Sequence, residues 1–134
     1  MSESRVVNLS RSRRAFLKAG GALVLSHESG LDEEARSFAL PGMGLDYEGP
    51  WKHESQYIEA LEPAREGIPD MVHEMYETGS AVKVQPGSTL LARVWEGYFD
   101  KDYRHFHVEQ TPYARPSDYA AAAQRGRIVY FAVP

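Results

Sequence analysis

The chain has 134 residues, no cysteine and a formal net charge of −4, with 43% hydrophobic and 25% charged residues. That length suits one domain around a single core. The acidic balance argues against nucleic-acid or anionic-membrane partners, the missing cysteines exclude disulfides, thiolate metal sites and a cysteine nucleophile, and no apolar run has the length of a membrane span.

The first element is predicted from Ser10 to Lys18. Ser10 can cap a helix by accepting a free amide, the arginines and alanines that follow are good helix formers, and Gly20 or Gly21 can end the helix. Ala22-Leu23-Val24-Leu25 then reads as a short strand, apolar enough to be buried on both faces as in a parallel sheet. The same stretch admits another reading. Arg13-Arg14 followed by Phe16-Leu17-Lys18 is how a twin-arginine export signal begins. The apolar run after it is short and glycine-containing, Ser26-His27-Glu28 interrupts it, and no small-residue cleavage site follows. The helix-to-strand reading and a cytoplasmic location are therefore expected, with export by the twin-arginine pathway as the alternative.

From residue 27 to 80 the sequence predicts a long loop-rich segment. Pro41-Gly42-Met43-Gly44, Glu48-Gly49-Pro50 and Glu66-Gly67-Ile68-Pro69 are turn signals. Short helices are expected at Asp32–Ser37 and Asp70–Glu77. Met43, Tyr47, Trp51, Tyr57 and Tyr76 are expected to pin this segment to the fold, since large exposed side chains are costly. Ala81–Val84 and Thr89–Trp95 read as strands around a Pro86-Gly87 turn. Near the end, Ser117 is a helix cap, Tyr119–Arg125 has strong helix propensity and Gly126 a stop. Ile128–Val133 is a continuous apolar strand. Two helix–glycine–strand units predict an α/β fold with a largely parallel, helix-covered sheet.

Candidate chemistry is sparse. On a strand, His105, His107 and Glu109 would share one face, and three such side chains suit a divalent metal. No fourth ligand is identifiable by spacing, so no metal site is assigned. His27 and Glu28 follow the first strand, and ligands of open α/β sheets bind at strand carboxyl ends. The catalytic candidates are accordingly His27, Glu28, His107 and Glu109, and the metal candidates His105, His107 and Glu109. Neither a Walker loop nor a G-x-G-x-x-G pattern is present, and no cofactor is expected.

The stretch from Arg14 to Leu31 resembles a segment of the class I glutamine-amidotransferase-like domain. It is more closely similar to the form that serves as the trimerisation domain of certain β-galactosidases and related glycoside hydrolases. Gly44–Gly49, Pro86–Ala92, His105–Pro112 and Gly126–Ala132 match later features in the right order. The resemblance implies a flavodoxin-like, amidotransferase-like three-layer sheet, incomplete here, with 1–134 as part of one α/β domain resembling the C-terminal half. It also implies a noncatalytic assembly or accessory role in carbohydrate metabolism. The partners so implied are further copies of the chain, a glycoside hydrolase catalytic domain, or carbohydrate. His107-Val108-Glu109 fits the later part of an amidotransferase site, but no cysteine fits the first part. A small metal-dependent hydrolase using His105, His107 and Glu109 is the alternative from a different class.

Overall fold

The computed structural model describes residues 13–100 and 111–134. Eight strands run through it: β1 Leu23–Ser26, β2 Leu45–Pro50, β3 Gln56–Ala60, β4 His73–Met75, β5 Ser80–Val84, β6 Thr89–Gly97, β7 Tyr113–Arg125 and β8 Ile128–Phe131. Six form one sheet in the order β1-β8-β7-β6-β3-β4, and β2 and β5 form a second, two-stranded sheet. Only β1 and β8 pair parallel; every other pair is antiparallel. Strand accounts for 46% of the described residues and helix for 5%. The expected α/β, flavodoxin-like or amidotransferase-like architecture is thus overturned. The fold is a curled, β-rich one, with no helical layer among the described residues.

The decisive departure is at residues 113–125. The predicted helix there is instead the long strand β7, paired with β6 on one side and β8 on the other. Helix propensity is a weak preference that tertiary packing overrides, and a helix of some two turns is marginal alone. In the strand, Ala120, Ala121, Ala122 and Ala123 are all buried. Their small side chains sit between two packing groups. Ala120 and Ala123 join Leu25, Leu45, Val82, Ile128 and Tyr130, while Ala121 joins Trp51, Ala81 and Val94. Ser117 does not cap a helix; its hydroxyl donates to the Val94 carbonyl at 2.7 Å. Pro116 falls opposite Trp95, where the β6–β7 register shifts, a place in which a missing amide is tolerated. Gly126 is a turn and not a helix stop. Arg125 and Ile128 pair across it, and its φ of 56° is what a two-residue hairpin loop demands.

The described part of the opening unit forms, and the expected Ser10 cap lies outside the described residues. Residues 13–18 are helical. Gly21 N–H donates to the Phe16 carbonyl and Gly20 N–H to the Leu17 carbonyl, the paired bonds of a Schellman cap. The chain then enters β1, where Leu25 reaches the core. Residues 32–37 are turns, and β4 lies within the second expected helix. The segment 27–80 carries β2, β3 and β4. Met43, Trp51 and Tyr57 are buried within the fold, whereas Tyr76 is exposed. Tyr130 is walled in by the core, and burial pushes its phenol up to about 12; its hydroxyl donates to the His27 carbonyl.

The two sheets meet at Ala132. Its carbonyl accepts the Ser80 N–H at 2.7 Å, and its own N–H donates to the Ala121 carbonyl at 2.8 Å. Gly79 permits this approach, because a Cβ there would lie 2.0 Å from the Ala132 oxygen. The Gly79 N–H is satisfied by the buried Gln56 side chain at 2.7 Å. Gly79→Ala should therefore force the sheets apart and destabilise the chain by about 3 kcal/mol or more. The check is thermal unfolding, with an expected fall in Tm on the order of 10 °C.

Candidate functional site

The polar and aromatic side chains with room beside them gather where β3, β4, the end of β6 and the start of β7 come together. Trp51 closes the loop between β2 and β3 by donating its indole N–H to the Ser55 carbonyl at 2.9 Å. That delivers Ser55, Gln56 and Tyr57 to the sheet in sequence. Thr111, at the entry to β7, donates to Ser55 Oγ at 3.2 Å and lies 3.4 Å from the Tyr57 hydroxyl. This Ser55–Thr111–Tyr57 seam separates two concavities.

On one side is a small cavity of about 120 Å³ lined by His53, Ser55, Glu96, Gly97, Tyr98, Phe99, Asp100 and Arg115. His53 Nδ1 lies 2.9 Å from Asp100 Oδ2, and the other Asp100 oxygen accepts the Glu54 N–H at 3.1 Å. The His53 hydrogen bond holds the Asp100 carboxyl below its usual range, and the Glu54 amide adds to the effect. An imidazole–carboxylate pair beside a serine has the residue types of nucleophilic catalysis. The geometry gives it a different task. Ser55 Oγ is occupied as an acceptor, and Asp100 ties the loop after Trp51 to the end of β6. Two carboxylates, Glu96 and Asp100, line the cavity as glycoside hydrolysis would require. However, Glu96 is paired with Arg115 at 2.8 Å, and the volume is below the roughly 300 Å³ of ordinary ligand sites.

On the other side is a groove of about 490 Å³ lined by Tyr57, Met71, Val72, His73, Glu74, Thr111, Pro112 and Tyr113. The Tyr113 ring stands edge-on to Tyr57, with centroids 6.1 Å apart, and to Trp95 at 5.6 Å. Trp95 is fixed in turn by an indole N–H bond to Glu59 at 2.7 Å, and Glu59 also lies 3.1 Å from the Arg93 guanidinium. The result is a braced aromatic side chain, still half exposed, above a polar floor.

Of the residues singled out from sequence, His27 and Glu28 lie elsewhere. His105, His107 and Glu109 fall outside the described residues. His27 ends β1 with a φ of 46°. Its N–H donates to the Phe131 carbonyl and its carbonyl accepts the Tyr130 hydroxyl, which makes it a strand terminus tied to β8. Glu28 is exposed in the turn that follows. Both belong to the β1 edge of the six-stranded sheet, opposite the β4 edge that carries the groove. Among the described residues no three His, Asp or Glu side chains converge as a metal site, and no helix is long and apolar enough to cross a membrane. Sequence reasoning passed over His53 with Asp100, and His73 with Tyr113, because no spacing links them; the first two lie in loops outside the strands and the second two on β4 and β7.

Comparison with known proteins adds one finding. No family model matches the chain, and no curated protein matches it. Among solved structures the chain is similar to α-L-fucosidase isoenzyme 2 from Paenibacillus thiaminolyticus, with a TM-score of 0.81 and 23% sequence identity. The two share a fold. The similarity covers 92% of this chain and 18% of the fucosidase chain, so this chain spans less than a fifth of that protein's length.

The role assigned to Asp100 has a pH signature. A carboxyl whose folded value is lowered stabilises the fold above the ordinary carboxylate range, about 3.9, and loses that contribution as pH falls through the lowered value. Both partners are partly exposed, so the effect is small. Asp100→Asn should flatten the acid limb of Tm against pH below about pH 4, and leave Tm nearly independent of the substitution at the bottom of that limb. An acid limb identical to that of the unsubstituted chain would show that the pair is not formed.

Proposed function

We propose that this chain is a noncatalytic accessory and assembly domain of a glycoside-hydrolase-like protein that acts in carbohydrate metabolism. The observation that carries the reading is the likeness of nearly the whole chain to a minor part of an α-L-fucosidase. A domain that recurs as one-fifth of an enzyme supports an auxiliary role better than a catalytic one. The two carboxylates that share a cavity, Glu96 and Asp100, are each engaged, by the Arg115 guanidinium and the His53 imidazole respectively.

The assembly half of the proposal rests on β1. Parallel strands are ordinarily covered on both faces, yet β1 is an edge strand and Val24 on it is 70% exposed. The register places Val24 beside Val129 and Ser26 beside Phe131, and Phe131 is itself exposed. The paired positions of β1 and β8 carry no charged side chain, and an open strand edge of that kind is a template for association.

Two measurements test the reading. The purified chain should hydrolyse neither p-nitrophenyl α-L-fucoside nor p-nitrophenyl β-galactoside above the buffer rate; turnover of either would contradict a noncatalytic role. By size exclusion with light scattering it should exceed the monomer mass of 15.1 kDa, and Val24→Glu should shift it to the monomer. A monomer without the substitution would contradict assembly through this edge.

A further inference from the structure

The groove at the β4 edge has a composition that the assembly role does not use. Its apolar surface is concentrated in Tyr113 and Met71, which are 50% and 56% exposed. Its accessible hydrogen-bonding surface comes chiefly from Glu74, because Thr111 and Tyr57 are 1% and 3% exposed and His73 Nε2 is buried. Glu74 is an acceptor of several hydrogen bonds when ionised.

These features narrow the occupant. A divalent cation would want six or more oxygen ligands of the hard type, and the groove provides a single carboxylate. An added peptide strand would pair along β4, but that strand is three residues long, too short to anchor one by main-chain bonds. An anion would meet Glu74. A pyranose suits the groove on each count. It is neutral, one of its faces is a patch of C–H groups that can lie on a tyrosine ring, and its rim is made of hydroxyls that both donate and accept. Tyr113 is well placed to serve as the platform. Its contacts with Tyr57 and Trp95 hold the ring in position, so little freedom is lost when a ligand stacks on it. The volume of about 490 Å³ lies within the roughly 300–1,000 Å³ of small-molecule sites.

We propose that this groove is a carbohydrate-binding site for a short neutral saccharide, with Tyr113 as the stacking platform and Glu74 as a hydroxyl partner. The proposal extends the functional reading above, and rests on it only for the choice of sugars to try. Trp95 touches Tyr113, so its fluorescence reports occupancy. Titration of the intact chain with L-fucose, galactobiose and cellotriose should give a saturable change for at least one of them, with a dissociation constant on the order of 1 mM. Tyr113→Ala should weaken that binding by about tenfold or more, the scale of one lost aromatic contact. Tyr113→Phe should retain it, and Glu74→Gln should weaken it several-fold. Val24→Ser, at the opposite edge of the sheet, should leave it unchanged. Calorimetry on the Ala variant guards against a mere loss of optical signal. No saturable response to any of the three sugars, or binding that survives Tyr113→Ala in calorimetry, would overturn the proposal. Self-association and hydrolysis are read separately, so a monomeric chain that still binds sugar contradicts the assembly reading and supports this one.

Discussion

The fold depends on a backbone junction at Ala132. One residue donates to β7 and accepts from β5, and so stitches the six-stranded sheet to the two-stranded one. Backbone groups buried away from water must find partners. Here those of Ser80, Ala121 and Ala132 find one another only if the chains approach closely. The approach is possible because Gly79 has no side chain to meet the Ala132 oxygen and because β7 presents alanines where larger residues would hold β5 away. The hydrophobic packing of Val82, Tyr130 and Leu25 then fills the space this junction defines.

The same alanines explain where the sequence misleads. Four consecutive alanines before glutamine and arginine have high intrinsic helix propensity, and nothing local reports that Ala121 packs with Trp51, Ala81 and Val94. The information that makes 120–123 a strand lies in its partners β5, β6 and β8. The features with local causes were legible. Gly20 and Gly21 end the first helix, Leu23–Leu25 is an apolar strand, and Ala81–Val84 and Thr89–Trp95 alternate as strands do. From these pieces a helix–glycine–strand unit at each end implied a parallel sheet. Only the first unit exists, and its strand does lie parallel to β8, but inside an otherwise antiparallel fold. The resemblance to an amidotransferase-like domain drew on that first unit, on short glycine motifs and on an expected late helix. Gly126 closes a hairpin in place of that helix.

The candidate site was illegible for a related reason. Tyr57, His73, Glu74, Thr111 and Tyr113 come from three strands and a strand entry, and none forms a pattern with another along the chain. Their proximity follows from Tyr57 pairing with Glu74 on one side and Trp95 on the other. The two ends of the large sheet therefore differ in character. β1 itself is apolar and pairs parallel with β8, as the proposed association requires. The β4 edge is aromatic, polar and concave, as suits a small ligand. The proposed association and the proposed sugar site thus fall at opposite edges of one sheet.

The claim on which all of this rests is that β5 and β7 are joined through Ala132. Native-state hydrogen exchange tests it most directly, because amides that open only with global unfolding exchange most slowly. The Ser80, Ala121 and Ala132 amides should belong to the slowest-exchanging group and share one free energy of opening. Rapid exchange at Ser80 and Ala132, with protection confined to β6 and β7, would contradict the junction and the architecture built on it.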